Sequence, residues 1–456
     1  MSLKELFGDR EFYAVMLKVA LPIAAQSLVL NALNAVDVLL IGQLGETSVA
    51  SVALANQFTF LLQLFLFGIA SGAGIFTAQF WGKGDIPSLR RTFGLGLGAA
   101  LAGSLLFTAV GLAIPERVLR LYTSDPTVIA LGAPFLRIVA LSYVINSLTV
   151  LFAMTLRTIR QVRLPMIVSI AALTLKTALA YVLIFGYFGL PALGILGAAI
   201  ATLVARILEC AVLLTLVYRW QLPPALRLAD LSGYSHAFLA RFAATTLPVI
   251  LTEVVWSVGV SIYTAIYARI GVDSVAAFNI ASTIEGVAIV PFMGMGNACA
   301  IIVGNALGAQ DTDTARDYAR KFLALAMVGA LAMGLAIFAV SRVILDAYNI
   351  SAESADYARR VMTVMAAVLW IRAANMVIII GILRSGGDTR FGLLVDAGPM
   401  WLLGIPLAML AAFVLHLPVY LVYPAVILGD ETVKFLLGLY RFRSQRWMNI
   451  VVGSEG

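Results

Sequence analysis

RWQLPPALRLADLSGYSHAFLAR, residues 219–241, is the longest polar stretch between apolar segments, and it carries Pro223, Pro224 and Gly233. A membrane-spanning helix needs about 20 apolar residues. Runs of that kind precede the stretch near 14–42, 50–80, 92–114, 128–155, 164–187 and 192–218. Six more follow it near 240–269, 275–307, 320–345, 354–383, 391–414 and 418–440. The pattern predicts an all-α polytopic membrane protein with twelve transmembrane helices. It divides the chain into an N-lobe (1–218, helices 1–6), the connector 219–241, a C-lobe (242–440, helices 7–12) and a tail (441–456).

Composition agrees. Of 456 residues 61% are hydrophobic and 12% charged, with a mean hydropathy of +0.98. Soluble domains carry about 25% charged residues, so disorder, a disulfide scaffold and a cytosolic enzyme are disfavoured together. Cys210 and Cys299 sit in apolar runs and read as small buried hydrophobes; His236 and His416 are far apart, and no metal-ligand cluster is apparent. The polar opening MSLKELFGDREF leads into an apolar run long enough to stay in the membrane, so no cleavable signal is expected.

The net charge of +7 has a topological origin. Counting bases on alternate sides gives 21 of the 31 Lys and Arg to one face, which holds Lys4, Arg10, Lys83, Arg90, Arg157, Arg219, Arg316, Lys321, Arg384, Lys434 and Arg441 among others. Cytoplasmic loops carry such an excess. Both termini and the connector are therefore expected on the cytoplasmic side, and no nucleic-acid partner is expected.

The halves resemble each other. At a fixed offset of 226, residues 21–91 overlay 247–317 with identities at Leu21, Pro22, Gly45, Ser48, Ala50, Ala55, Gly68, Ile75, Gly82, Asp85 and Arg90. Farther on, LRTIRQVR (156–163) aligns with LRSGGDTR (383–390), and Leu190-Pro191 with Leu417-Pro418, at an offset of 227. Six spans per half make the repeats parallel, related by an axis along the membrane normal, which is a transporter architecture.

Ionisable residues inside lipid cost several kcal/mol unless paired or wet, so each is a functional candidate. The spans hold Asp37, Lys176, Arg206, Glu209, Glu253, Glu285, Arg372 and Asp396. Arg206 and Glu209, and Glu431 and Lys434, are three residues apart and read as structural pairs. Arg372 and Asp396, in neighbouring helices, read either as an ion pair or as coupling groups. Asn34 and Asp37 share a helix face and offer an amide and a carboxylate to one cavity. Glu253 lies deep in its span, and burial favours a carboxylate's protonated form, which suits a proton carrier. Lys176, in LTLKTALAYVLIFG (173–186), is too central to snorkel, and Asp37 is its expected partner. No nucleophile–base set or phosphate loop appears, so an enzyme is not expected. Trp256, Trp370, Trp401 and Tyr143 would suit flat cations.

These segments together resemble the multidrug and toxic compound extrusion (MATE) family. The resemblance rests on Leu21-Pro22, NAVDVLLIGQLG (34–45), WGKGD (81–85), LPALGILGAAIAT (190–202), VGNALGAQD (303–311) and GILRSGGDTRF (381–391). It implies two pseudo-symmetric six-helix lobes in a V, in a monomeric protein of a prokaryotic inner membrane. It also implies export of organic, cationic or amphipathic compounds in exchange for H⁺ or Na⁺, without a cofactor. Asp37 matches the family's acidic residue in helix 1, Thr202 a helix 6 hydroxyl of the same site, and Glu253 the acid of helix 7.

Two departures stand out. Where members with an N-lobe cation site show Asn and, one turn on, Asp in helix 5, this chain has Lys176 and Ala180. Where some members carry an Asp in helix 10, this chain reads Arg372-Ala373-Ala374-Asn375. A lysine in the place of a bound cation favours H⁺ over Na⁺, with Asp37 and Lys176, or Glu253 and Asp396, as coupling groups and Glu285 as a further candidate. The alternative is a flippase for a lipid-linked saccharide from the same superfamily, whose pyrophosphate would call on Lys176, Arg206 and Arg372.

Overall fold

The computed structural model describes residues 9–227, 230, 234–346 and 351–453. Lys4 and Gly233 lie outside the described residues. Within them the expected apolar runs are helices, several extended by a polar turn at one end. They are α1 (Arg10–Gly42), α2 (Glu46–Lys83), α3 (Ile86–Ala113), α4 (Pro126–Ala140 and Tyr143–Thr158), α5 (Arg163–Phe185) and α6 (Ile195–Arg219). The second half has α7 (His236–Ile270), α8 (Val272–Ala288 and Val290–Gly308), α9 (Thr312–Asp346) and α10 (Ala352–Met376, continued by Val377–Leu383). After them come α11 (Thr389–Pro399 onward to Val414) and α12 (Val419–Gly429 and Glu431–Arg443).

Ten described helices are long and apolar enough to cross a membrane on their own, and the bent α4 makes eleven. The two parts of α4 meet at 49°. There Ser142 donates its hydroxyl to Val139 O at 2.6 Å, a back-bond that competes with the helix ladder. The twelfth segment, α12, is broken at Asp430 and carries charge.

By Cα packing the chain forms two compact units. One comprises Ala25–Trp81 and Asp85–Phe242; the other comprises Met1–Ala24, Gly82–Gly84 and Ala243–Gly456. The first turns of α1 count with the second half because Phe12 rests on Phe322 and Lys321 donates to Asp9 at 2.6 Å. That bond, with the Phe12 amide, holds the Asp9 carboxyl below its ordinary range.

Hydroxyls bridge helices inside the first unit, as expected where lipid offers no hydrophobic drive between apolar faces. Ser51 of α2 donates to Val128 O of α4 at 3.1 Å, Thr77 and Thr158 share a hydrogen bond at 3.1 Å, and Ser104 of α3 donates to Ser147 of α4 at 3.1 Å. Phe93 and Phe152 meet edge to face at 4.7 Å. Cys210 and Cys299 are buried free thiols.

The internal repeat has a structural counterpart. Pro22 lies inside α1 and Pro248 inside α7. Asp85 accepts the Ser88 amide at 3.1 Å to cap α3, and Asp311 accepts the Thr314 amide at 3.0 Å at the start of α9. Equivalent positions therefore satisfy equivalent orphan amides.

Candidate functional site

In the first unit the site is built by α1 and α5. Away from their ends the two helices are apolar, with Asp37 the charge in the second half of α1 and Lys176 the charge in the middle of α5, so each depends on the other for a partner. Lys176 Nζ donates to Asp37 Oδ2 at 2.5 Å, and Thr177 Oγ1 donates to Asp37 Oδ1 at 3.4 Å. The pair is mostly buried, with the Lys176 side chain 20% and the Asp37 side chain 15% exposed. Ala180, one turn on, is a buried methyl. The other expected members stand apart: Asn34 is exposed on α1, and the Thr202 hydroxyl donates to Ala198 O of its own helix at 2.9 Å.

Beside this site, Arg206 donates to Glu209 at 2.8 Å, the pairing expected from their spacing. Ser169 of α5 adds a bond to the same carboxylate at 2.6 Å, which ties α5 to α6. Arg157 donates to Gln26 at 2.9 Å. Tyr143, read as a face for flat cations, is buried and shares a hydrogen bond with Thr59 at 2.9 Å, so its ring belongs to the packing of the first unit.

In the second unit three sequence readings are corrected. Glu253 of α7 has a partner that the sequence hid: Arg384 donates to it at 2.7 Å. Its position places Arg384 among the loop bases in the sequence, yet it is 6% exposed, at the end of the π-helical turns Val377–Leu383 that continue α10. Arg372 and Asp396 do not pair. Arg372 donates to Glu285 of α8 and has Glu431 of α12 at 3.4 Å, while Asp396 of α11 faces Lys434 at 2.9 Å. Glu431 and Lys434 form no ion pair with each other either: Glu431 faces Arg372, and Lys434 faces Asp396. Asn375 donates to Glu431 Oε2 at 2.8 Å, and Lys434 reaches Asp430 at 3.0 Å.

Lys321 and Lys434, also counted as loop bases, are buried. At the end of α12, Arg441 binds Asp388 through two nitrogens at 2.6 and 3.1 Å, and this hydrogen bonding raises the guanidinium's pKa.

The second half thus holds a cluster of Tyr263, Glu285, Arg372, Asn375, Asp396, Asp430, Glu431 and Lys434, whereas the spans of the first half hold the separate pairs Lys176–Asp37 and Arg206–Glu209. Of the network, Asp430 and Tyr263 drew no notice in the sequence. The repeat offset was the one available signal, because it places Tyr263 opposite Asp37.

Known proteins fit this architecture. The chain is 29% identical over 442 residues, covering 95% of it and 94% of the relative, to a probable multidrug resistance protein NorM of Rhizobium meliloti. It is 25% identical over 438 residues to a multidrug resistance protein MdtK of Edwardsiella ictaluri, covering 93% and 92% of the two chains. A solved outward-facing multidrug resistance MATE family transporter of the MOP superfamily overlays with a TM-score of 0.85 at 18% identity, covering 97% and 98%. A MOP superfamily transporter from Pyrococcus furiosus, whose binding pocket is described as of reverse polarity suggesting a different function, overlays at 0.84 with 18% identity over the same shares. The MatE family model matches twice, at residues 22–182 and 248–410, so its two starts are 226 residues apart, the offset of the internal repeat. The chain belongs to the MatE family of multi-pass membrane transporters.

Proposed function

We propose that this protein is a multidrug efflux antiporter that exports organic, cationic or amphipathic compounds in exchange for H⁺. It would work by alternating access in the inner membrane, with both termini cytoplasmic. The names of its relatives support drug export. The observation that carries proton coupling is the Lys176–Asp37 pair at 2.5 Å. A covalently fixed ammonium takes the place against the carboxylate that a bound metal cation would need.

The exchange follows from the chemistry of that pair. With Asp37 ionised, the carboxylate is shared between Lys176 and an arriving cationic compound. A proton that reaches Asp37 from outside neutralises it, which removes the attraction for the compound and frees the Lys176 ammonium to repel it. Loss of that proton toward the cytoplasm restores the pair. Neither side chain is sealed in, Lys176 being 20% and Asp37 15% exposed, as this exchange requires. The flippase reading loses its footing because Lys176, Arg206 and Arg372 each face a carboxylate and are committed before any pyrophosphate arrives.

The test uses purified protein in liposomes loaded with a fluorescent organic cation. Transport driven by a pH gradient in sodium-free buffer is the expected result. Transport driven by a sodium gradient with the pH gradient collapsed would overturn the reading.

A further inference from the structure

The second-half network is not balanced in charge. Glu285, Asp396, Asp430 and Glu431 are four carboxylates, and among the described residues Arg372 and Lys434 are the two bases in ion-pair contact with them. Each base is shared. Lys434 serves Asp396 at 2.9 Å and Asp430 at 3.0 Å, and Arg372 serves Glu285 and Glu431. With every group in its usual ionised form, two negative charges would be left over in the middle of apolar helices. Asp430 is 2% exposed and Lys434 3%, so solvent relieves neither. Uncompensated buried charge costs several kcal/mol per group.

Unsatisfied atoms mark the same place. Asn375 is 4% exposed, and its Oδ1 has no hydrogen-bond donor although its Nδ2 is committed to Glu431. Asp430 Oδ1 is buried without a hydrogen bond, and its one contact is the ion pair to the shared Lys434.

The internal repeat identifies the location. An offset of 226 puts Tyr263 opposite Asp37, and an offset of 227 puts Gly404 opposite Thr177 and Gly429 opposite Thr202. In the first half Thr177 donates to Asp37. In the second half Tyr263 Oη donates to Asp430 Oδ2 at 3.2 Å. A Cβ on Gly404 would lie 2.0 Å from that phenol oxygen and 2.9 Å from Asp430 Cβ, so the space of the missing threonine is filled by the phenol and the Asp430 methylene. Regular helix also lapses around the cluster. α12 breaks at Asp430 (φ −101°, ψ −74°), α11 opens into a π turn at Met400–Gly404, and α10 does so just after Asn375. Such turns recur at functional sites.

We propose that Asp430 carries a proton in the resting protein, so that the second half holds a proton-binding site at the repeat equivalent of Asp37–Lys176. The groups facing it are Tyr263 and Tyr267 of α7, Asp396 of α11, and Glu431 and Lys434 of its own helix; Arg372, Glu285 and Tyr423 complete the network behind them. A proton is the ligand that fits. A hard metal cation requires several oxygens at once, and here Arg372 and Lys434 already claim oxygens of all four carboxylates and repel a metal. A proton needs one oxygen, and Asp430 offers Oδ1, which faces Lys434 Nζ at 3.0 Å as an ion pair but accepts no hydrogen bond among the described residues.

Infrared difference spectroscopy on the purified protein in lipid nanodiscs, titrated between about pH 5 and about pH 9, tests this without any transport step. A protein that proved to be sodium-driven would therefore still leave the test standing. A protonated-carboxyl band in the wild type at neutral pH, lost in Asp430→Asn and shifted in frequency in Tyr263→Phe, is the expected result. Tyr263→Phe keeps the charges, so it remains informative where Asp430→Asn fails to fold. The proposal is overturned by absence of the band throughout the titration, by its persistence unchanged in both variants, or by its loss when sodium replaces choline at fixed pH.

Discussion

The decisive residue is Lys176. Its helix offers it no carboxylate, and the pair with Asp37 of α1 satisfies both charges at 2.5 Å. Replacing it by asparagine leaves an amide that can share a cation with Asp37 but cannot neutralise it. Lys176→Asn is therefore expected to weaken the dependence of efflux on the pH gradient and to introduce stimulation by sodium, both read in liposomes. Glu253 and Arg384 make a separate prediction. Removal of one partner of a buried pair strands the other charge at a cost of about 3–5 kcal/mol. Arg384→Ala should lower the melting temperature in detergent far more than the double variant Arg384→Met with Glu253→Gln, which removes both charges together. Equal losses in the two would show that the pair contributes little.

At the scale of the element, helix contacts depend on where side chains are missing. A Cβ on Gly334 of α9 would meet Ala366 O of α10 at 2.2 Å, and a backbone carbonyl cannot step aside. Gly98 of α3 has nothing within 4 Å of the same position. Gly334→Ala should destabilise the protein by about 1–3 kcal/mol through overpacking. Gly98→Ala should be neutral or slightly stabilising, since alanine is the better helix former. Thermal unfolding followed by a thiol-reactive dye on the buried Cys210 and Cys299 separates the two cases. The helices themselves were legible because span length and Pro/Gly punctuation are local properties. The bend in α4 and the break in α12 were not, because both arise where side chains bond elsewhere: Ser142 to its own backbone, and Asp430 to Tyr263 and Lys434.

For the whole molecule, the basic excess argues for the orientation we propose. Lys321, Arg384 and Lys434 turn inward, yet the excess on that face persists without them. A fluorescent protein fused after the tail should fluoresce, and an alkaline phosphatase fused at the same point should be inactive, because the first folds in the cytoplasm and the second outside it. The opposite pair of results would reverse the topology.

The sequence by itself determined the class of molecule, the twelve apolar segments, the repeat at offset 226 and the Lys176–Asp37 pair. It could do so because a central charge in an apolar helix has few partners to choose from. Only the tertiary structure decided the partners in the second half, where Glu285, Arg372, Asp396, Asp430, Glu431 and Lys434 offered many pairings of similar merit. Which of them meet is set by how α8, α10, α11 and α12 pack side by side, which brings Arg372 to Glu285 and Glu431 and Lys434 to Asp396 and Asp430. Spacing along the chain does not encode contacts between helices so far apart in sequence.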